Sequence, residues 1–294
     1  MIWDVEPEII KFGPLAIRWY SLSFMIGFLI AYQYMLRIFA RNNWGKDTPD
    51  IVSSLFTHAF LGTLLGARLG HCFFYEPLEY LTHPWRVFMV WEGGLASHGG
   101  FIGVALSLFI FTRKHGGLSF FWLADRVAAP AMLTGALIRI GNFFNSEIIG
   151  KPADVPWAIV FKRVDMIPRH PSMLYESAAY FLISFLAFFA VEKYRKKWQE
   201  GSFLGLVLAL GMSARFFIEF FKENQVRFEQ DLVLNMGQML SIPFIMMGLY
   251  LLTGRQTRNP ALKVFTWAPP RKKSEELKQE KQRPGASKKK KKNK

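Results

Sequence analysis

Cysteine occurs once in these 294 residues, as Cys72. No intramolecular disulfide can form, and a cysteine-based metal cluster is excluded. The histidines, His58, His71, His83, His98, His115 and His170, show no HExxH spacing and so no protease-type zinc motif. A GxSxG nucleophile elbow, a glycine-rich phosphate loop and a GxGxxG turn are missing too. No metal and no cofactor is expected. The N-terminus, "MIWDVEPEIIKFGPLAIRWY", lacks the basic n-region and small-residue cleavage site of a secretory signal. The first apolar segment is therefore expected to stay in the protein. Cys72, between His71 and Phe73, reads as a packing residue near a helix end.

What is abundant is apolar surface: 51% of the residues are hydrophobic, with 29 Phe and 9 Trp. Its arrangement decides the class. Runs without Asp, Glu, Lys or Arg recur at 19–36, 51–67, 93–112 and 232–253, each near the roughly 17 to 25 residues that cross a bilayer as helix. Three more, 120–138, Ser172–Val191 and Ser202–Phe221, are apolar with polar interruptions near one end. The expectation is an all-α, polytopic integral membrane protein of about seven transmembrane helices. Residues 1–255 would form the membrane domain and 256–294 a tail.

The net charge of +15 is unevenly spread: residues 271–294 hold twelve Lys and Arg against three Glu, or +9. This low-complexity stretch, ending "GASKKKKKNK", is expected to be disordered. Beside so many spans, an anionic lipid leaflet is a nearer partner for it than nucleic acid, which is not expected to bind. A solvated tail without a specific partner is the other reading.

Cationic residues mark cytoplasmic loops. They follow the first span (Arg37, Arg41, Lys46), the third (Arg113, Lys114), the fifth (Lys193, Arg195, Lys196, Lys197) and the seventh (Arg255, Arg258). These are alternate loops, so the N-terminus is expected outside the membrane and the C-terminus in the cytoplasm. Arg68 then closes the second span on the outer side, and His98 lies about a turn and a half into the third. Arg139 closes the fourth, Glu176 sits in the first turns of the fifth, and Arg215 and Glu219 lie four residues apart on the sixth. All converge on the outer leaflet. Ionisable groups inside a span are costly and usually face a bundle interior or a wet cavity.

Plainer readings stay open for each. Arg215 and Glu219 could be an intrahelical ion pair, Arg68 a side chain snorkelling to headgroups, and His98 a satisfied core histidine. Around His98, however, "EGGLASHGGFIG" sets five glycines, which let backbone or ligand approach closely. Asp125 and Arg126 read as a structural pair. An arginine cluster at headgroup level suits a phospholipid phosphate, since guanidinium grips phosphate bidentately and would stabilise it as a leaving group.

The stretch from Arg139 to Gly150, "RIGNFFNSEIIG", resembles the signature of the bacterial prolipoprotein diacylglyceryl transferases, R-x-G-N-F-x-N-x-E-x-x-G, at every specified position. "IRWYSL", "GARLGHCFFY", "EGGLASHGGFIG", "RHPSMLYE", "RFFIEFFK" and "GQMLSIP" extend the likeness over residues 13 to 255. One position departs: where the family often has tyrosine one turn before the arginine of the sixth span, this chain has Gly211. The resemblance implies transfer of the diacylglyceryl unit of phosphatidylglycerol to the lipobox cysteine thiol of a prolipoprotein signal peptide, with release of glycerol phosphate. It also implies roles. Arg139 and Arg215 would hold the phosphate, Asn142 and Glu147 would position headgroup or arginine, and His98 is the candidate base for a thiol of pKa about 8.5. Asn145, Gly150, Tyr20, Arg68 and Glu219 complete the set expected at the substrate. A transporter or a lipid-binding scaffold without chemistry is the alternative.

Overall fold

A computed structural model of the chain describes residues 1–12, 15–42, 47–90, 94, 96–194, 197–223 and 233–266. The basic run expected to be disordered, 271–294, lies outside the described residues. The chain divides into two compact units, one of Met1–Gly45 and Ala124–Leu262, the other of Lys46–Leu123 and Lys263–Lys294.

Strands β1 (Ile2–Trp3), β2 (Glu8–Phe12) and β3 (Leu15–Arg18) precede helices α1 (Trp19–Arg41), α2 (Thr48–Phe74), α3 (Pro77–Thr82), α4 (Ser97–His115) and α5 (Phe120–Asn145). Then come β4 (Ile159–Phe161), β5 (Pro168–Arg169), α6 (Ser172–Tyr194), α7 (Ser202–Ile218), α8 (Met236–Leu252) and α9 (Lys263–Thr266). By length and composition, α1, α2, α5 and the stretches Ser172–Val191 and Ser202–Phe221 can each cross a membrane. The protein is a multi-pass membrane protein. The runs expected at 93–112 and 232–253 appear as α4, of 19 residues, and the shorter apolar α8, of 17.

The strands correct the all-α expectation. Antiparallel β2 and β3 pair Lys11 with Ala16 and Phe12 with Leu15, on either side of the Gly13-Pro14 pair. Gly-Pro between short apolar runs is a turn signal, here overshadowed by the helix-length runs that follow. The second sheet has the order β1-β4-β5, with β1 parallel to β4 and β5 antiparallel to it. Two- and three-residue strands carry no periodicity, and β1 finds β4 158 residues along the chain, Ile2 opposite Val160.

In the first unit, small residues let α5, α6 and α7 close on a core of Ala128, Ala129, Ala187 and Val207. Hydroxyls join the helices: Ser177 Oγ donates to Ala136 O and Ser184 Oγ to Ala129 O, both at 2.9 Å. Asp125 is a helix cap. Its carboxylate accepts the backbone N–H groups of Gly201 and Leu204, each at 2.8 Å, at the N-terminus of α7, where a negative charge is favoured.

In the second unit α2 lies on α4 along Gly62, Gly66 and Gly70 opposite Gly99 and Gly103. A Cβ on Gly66 would sit 2.8 Å from Gly103 Cα, and one on Gly70 2.8 Å from Gly99 Cα. Such small-residue seams join helices where lipid supplies no hydrophobic drive. Of the glycines around His98, Gly99 and Gly103 thus admit the backbone of α2.

Candidate active site

One end of the first unit is where α5 stops, α6 starts and α7 stops. Two arginines and a glutamate stand there within two turns of those helix ends. Arg139 Nε of α5 lies 2.7 Å from Glu176 Oε2 of α6, and Arg215 Nη1 of α7 lies 3.5 Å from Glu176 Oε1. Lys222, just past a 3-10 turn over Glu219–Phe221, donates to Glu176 Oε1 at 3.0 Å and to Glu219 Oε2 at 2.9 Å. Glu176 is 0% and Lys222 1% exposed. Charges this deep are tolerated only when paired, and removing one partner of such a pair costs about 3–5 kcal/mol.

The signature residues continue the network. Arg139 Nη1 donates to Asn142 Oδ1 at 3.0 Å, Asn142 Nδ2 to Glu147 Oε2 at 2.9 Å, and Asn145 Nδ2 to Glu147 Oε1 at 3.1 Å. Arg139 is therefore hydrogen-bonded through Nη1 and ion-paired through Nε, without a hydrogen bond to Glu176 Oε2. Nη2 makes no bond within the described residues. Asn145 Oδ1 and Ser146 Oγ are buried with no hydrogen-bond partner among those residues. Tyr20, at the start of α1, crosses α5 at Gly141, where a Cβ would meet Tyr20 Cα at 2.8 Å.

The chain leaving α5 turns sharply: Ser146 has φ 56° and Ile148 φ 55°. A β-branched residue in the left-handed region is a true outlier, at a cost of order 1–3 kcal/mol. Its surroundings hold it there. Glu147 N–H donates to Asn142 O at 2.9 Å, Ser172 Oγ to Ile148 O at 3.0 Å. Ile149 packs on the core of Phe143, Ile159, Phe161 and Met173 beneath the three-stranded sheet. Gly150 comes next, bridged to Lys222 and donating to His170 O at 3.0 Å. A Cβ there would meet His170 Cβ at 2.6 Å and Phe221 O at 2.8 Å. Glycine at 150 is thus what brings the segments after α5, before α6 and after α7 together.

Arg169 locks that junction. It donates to Asp165 Oδ2 through Nη2 at 2.5 Å, to Gly150 O through Nη1 at 3.2 Å and to Glu223 Oε2 at 2.8 Å. The Arg169 guanidinium holds the Asp165 carboxyl below the usual carboxylate range, and hydrogen bonding to Asp165 pushes Arg169 up. A depressed folded pKa contributes stability that is complete above the ordinary Asp value and fades as pH falls through the folded one. The protection of the Ile167 amide against exchange, relative to its intrinsic rate at each pH, is expected to fall below that value, because its N–H donates to Asp165 Oδ1 at 3.0 Å. Unchanged protection in acid would contradict the lock.

Four expected site residues fall elsewhere or pair differently. Arg68, in the second unit, is 2% exposed and does not snorkel. It donates to the backbone carbonyls of Val87 at 3.0 Å, Met89 at 3.1 Å, Gly94 at 3.3 Å and Arg86, and lies over the Tyr80 ring. It therefore organises Arg86, Val87, Met89 and Gly94 around one guanidinium. His98 stands in the first turn of α4, not a turn and a half within, because the helix starts at Ser97; its side chain lies outside the described residues. Arg215 and Glu219 do not form the intrahelical pair: α7 ends at Ile218, Glu219 pairs with Lys222 and Arg215 with Glu176. Over Gly211 lies the Met132 methyl, and the hydroxyl in this cluster is that of Tyr180, which donates to Glu176 Oε1 at 3.4 Å.

A model of the prolipoprotein diacylglyceryl transferase family matches residues 7–253. The chain belongs to that family. It is 46% identical over 252 residues, 86% of its length, to a phosphatidylglycerol–prolipoprotein diacylglyceryl transferase of Tolumonas auensis, 96% of which is covered. The enzyme of that name from Chloroherpeton thalassium is likewise 46% identical over 252 residues, 86% of this chain and 93% of the relative. That of Bacteroides fragilis is 42% identical over 260 residues, 84% and 92%.

Within this family member, Arg139, Asn142, Asn145, Glu147, Gly150, Arg215 and Glu219 gather at one helix end. Sequence reasoning missed Lys222. A lysine closing "RFFIEFFK" at the end of a span reads as an interfacial anchor. Its spacing of three from Glu219 was the available signal.

Proposed function

We propose that the protein transfers the diacylglyceryl group of phosphatidylglycerol to the cysteine thiol of a prolipoprotein lipobox, releasing glycerol phosphate. The observation that carries this is the meeting of Arg139 and Arg215, from two helices, around buried Glu176 beside the signature asparagines. The substrate thiolate forms a carbon–sulfur bond to the glycerol carbon. The carbon–oxygen bond to phosphate breaks, and its electron pair leaves with the phosphate oxygen. Arg139 Nη2 and the Arg215 guanidinium meet the charge that grows there. His98 accepts the thiol proton.

Purified protein incubated with phosphatidylglycerol and a lipobox peptide is expected to yield the diacylglyceryl thioether, seen by mass spectrometry. Lipid binding without product would make it a scaffold, and lipid movement without product a transporter. His98→Gln should bind lipid normally and lose about a hundredfold in turnover, the usual worth of a general base. Part should return as pH nears the thiol pKa, where substrate ionises unaided. Loss of lipid binding would make His98 a headgroup or structural residue.

Residues 1–255 act as the transferase domain, crossing a bacterial inner membrane seven times with the site facing the periplasm. The support is the single-sided placement of Arg37, Arg41, Arg113, Lys114, Lys193 and Lys197. A cysteine beside Lys162, whose ammonium is bound to Asp4 near the N-terminus, should label with a membrane-impermeant reagent on spheroplasts. One in the 288–292 lysine run should not. The reverse pattern would overturn the orientation.

A further inference from the structure

Three cations from three chain segments meet one carboxylate. Glu176 Oε1 lies 3.0 Å from Lys222 Nζ, 3.4 Å from the Tyr180 hydroxyl and 3.5 Å from Arg215 Nη1, while Oε2 lies 2.7 Å from Arg139 Nε. Glu219 is bound by Lys222, and Glu147 reaches Arg139 through Asn142. Three cations thus face three carboxylates, and the cluster is formally neutral. A site that only had to attract phosphate would not seat a carboxylate in the middle of its cations.

Geometry supplies the reason. Arg139 and Arg215 belong to different helices, and like charges repel strongly where water is excluded. Glu176 gives both a common anchor on α6. Arg139 is ion-paired to it through Nε and bonded to Asn142 through Nη1, and Nη2 has no partner among the described residues. Lys222 returns the charge that Glu176 removes.

We infer that Glu176 is a positioning residue of the phosphate site: it fixes the two arginines at a cost in lipid affinity, and Lys222 restores the charge balance. The inference rests on the transfer reaction proposed above. A carboxylate that merely held the helices together would lower stability, affinity and turnover alike. The positioning role separates them, because loss of a negative charge strengthens attraction for an anionic lipid while the arginines lose their common anchor.

The test uses the full-length protein in detergent. Thioether formation with a lipobox peptide gives kcat, short-chain phosphatidylglycerol gives Kd, and thermal melting reports folding. The wild type is measured first; if it forms no thioether, the transfer reading falls, and this inference with it. Given an active wild type, Glu176→Gln is expected to lose about a hundredfold in kcat, the size of loss that about an ångström of misplacement produces. Its Kd should stay equal or fall. Lys222→Met should weaken lipid binding roughly tenfold, the worth of one charged hydrogen bond. Glu176→Gln combined with Lys222→Met has the wild-type formal charge but still no anchor for Arg139 and Arg215, so its Kd should return toward that of the wild type while its kcat stays low. Should Glu176→Gln fail to accumulate, Glu176→Asp carries the test. It keeps the charge but draws the carboxylate back by one methylene, so its Kd should hold and its kcat fall. A Glu176→Gln of unchanged kcat or raised Kd overturns the inference, as does a Glu176→Asp of wild-type kcat or a folded double variant that regains wild-type kcat.

Discussion

Arg139→Lys is expected to lose at least about a hundredfold in turnover at saturating lipid, although the charge is kept. The arginine is anchored through Nε to Glu176 and through Nη1 to Asn142. An ammonium on a flexible stem can meet one of these partners and the lipid phosphate in turn, but it cannot hold two partners and present a third donor in a fixed plane. Charged hydrogen bonds are worth about 1.5–3 kcal/mol each. At 1.36 kcal/mol per tenfold, losing one or two of them gives the stated loss. Near-normal turnover of Arg139→Lys at saturating lipid would mean that attraction by charge alone is enough.

Gly150→Ala is the second large effect, and it acts on the scaffold. The methyl would push into His170 on one side and the Phe221 carbonyl on the other. Both are parts of segments that the Gly150 backbone itself joins. Overpacking costs about 1–3 kcal/mol where side chains can yield, and here much of the obstruction is backbone. A drop in melting temperature and near-complete loss of activity are expected together, because Lys222 follows Phe221 directly. Gly135→Ala is the comparison: its methyl would meet only Tyr180 Cδ2, at 3.7 Å, an ordinary contact. Stability should hold or rise there, since alanine favours helix by about 1 kcal/mol over glycine. Equal tolerance of both substitutions would remove Gly150 from the junction.

The helices were legible in the sequence because a bilayer asks for long uncharged runs, and a run such as 19–36 has no soluble counterpart. The residues of the site were legible too, since Arg139, Glu176, Arg215 and Glu219 are ionisable groups inside those runs. Their partners were not. That Arg215 meets Glu176 rather than Glu219 is set by partners from outside α7, Glu176 of α6 for Arg215 and Lys222 for Glu219, which spacing along one helix does not show. Arg68 reads from sequence as a headgroup residue, yet its guanidinium serves carbonyls of a segment 18 to 26 residues onward. Gly150 was visible as a motif letter, but the reason for it appears only where three distant segments touch.

The account's central claim is that the lipid phosphate departs as glycerol phosphate when the lipobox thiol attacks. The direct measurement is a single-turnover reaction of the full-length protein with phosphatidylglycerol labelled in its head glycerol, following both products. The account predicts one glycerol phosphate for each thioether formed, and none of either when the peptide cysteine is replaced by serine. Glycerol phosphate released without thioether, or a thioether peptide that retains phosphorus, would contradict it.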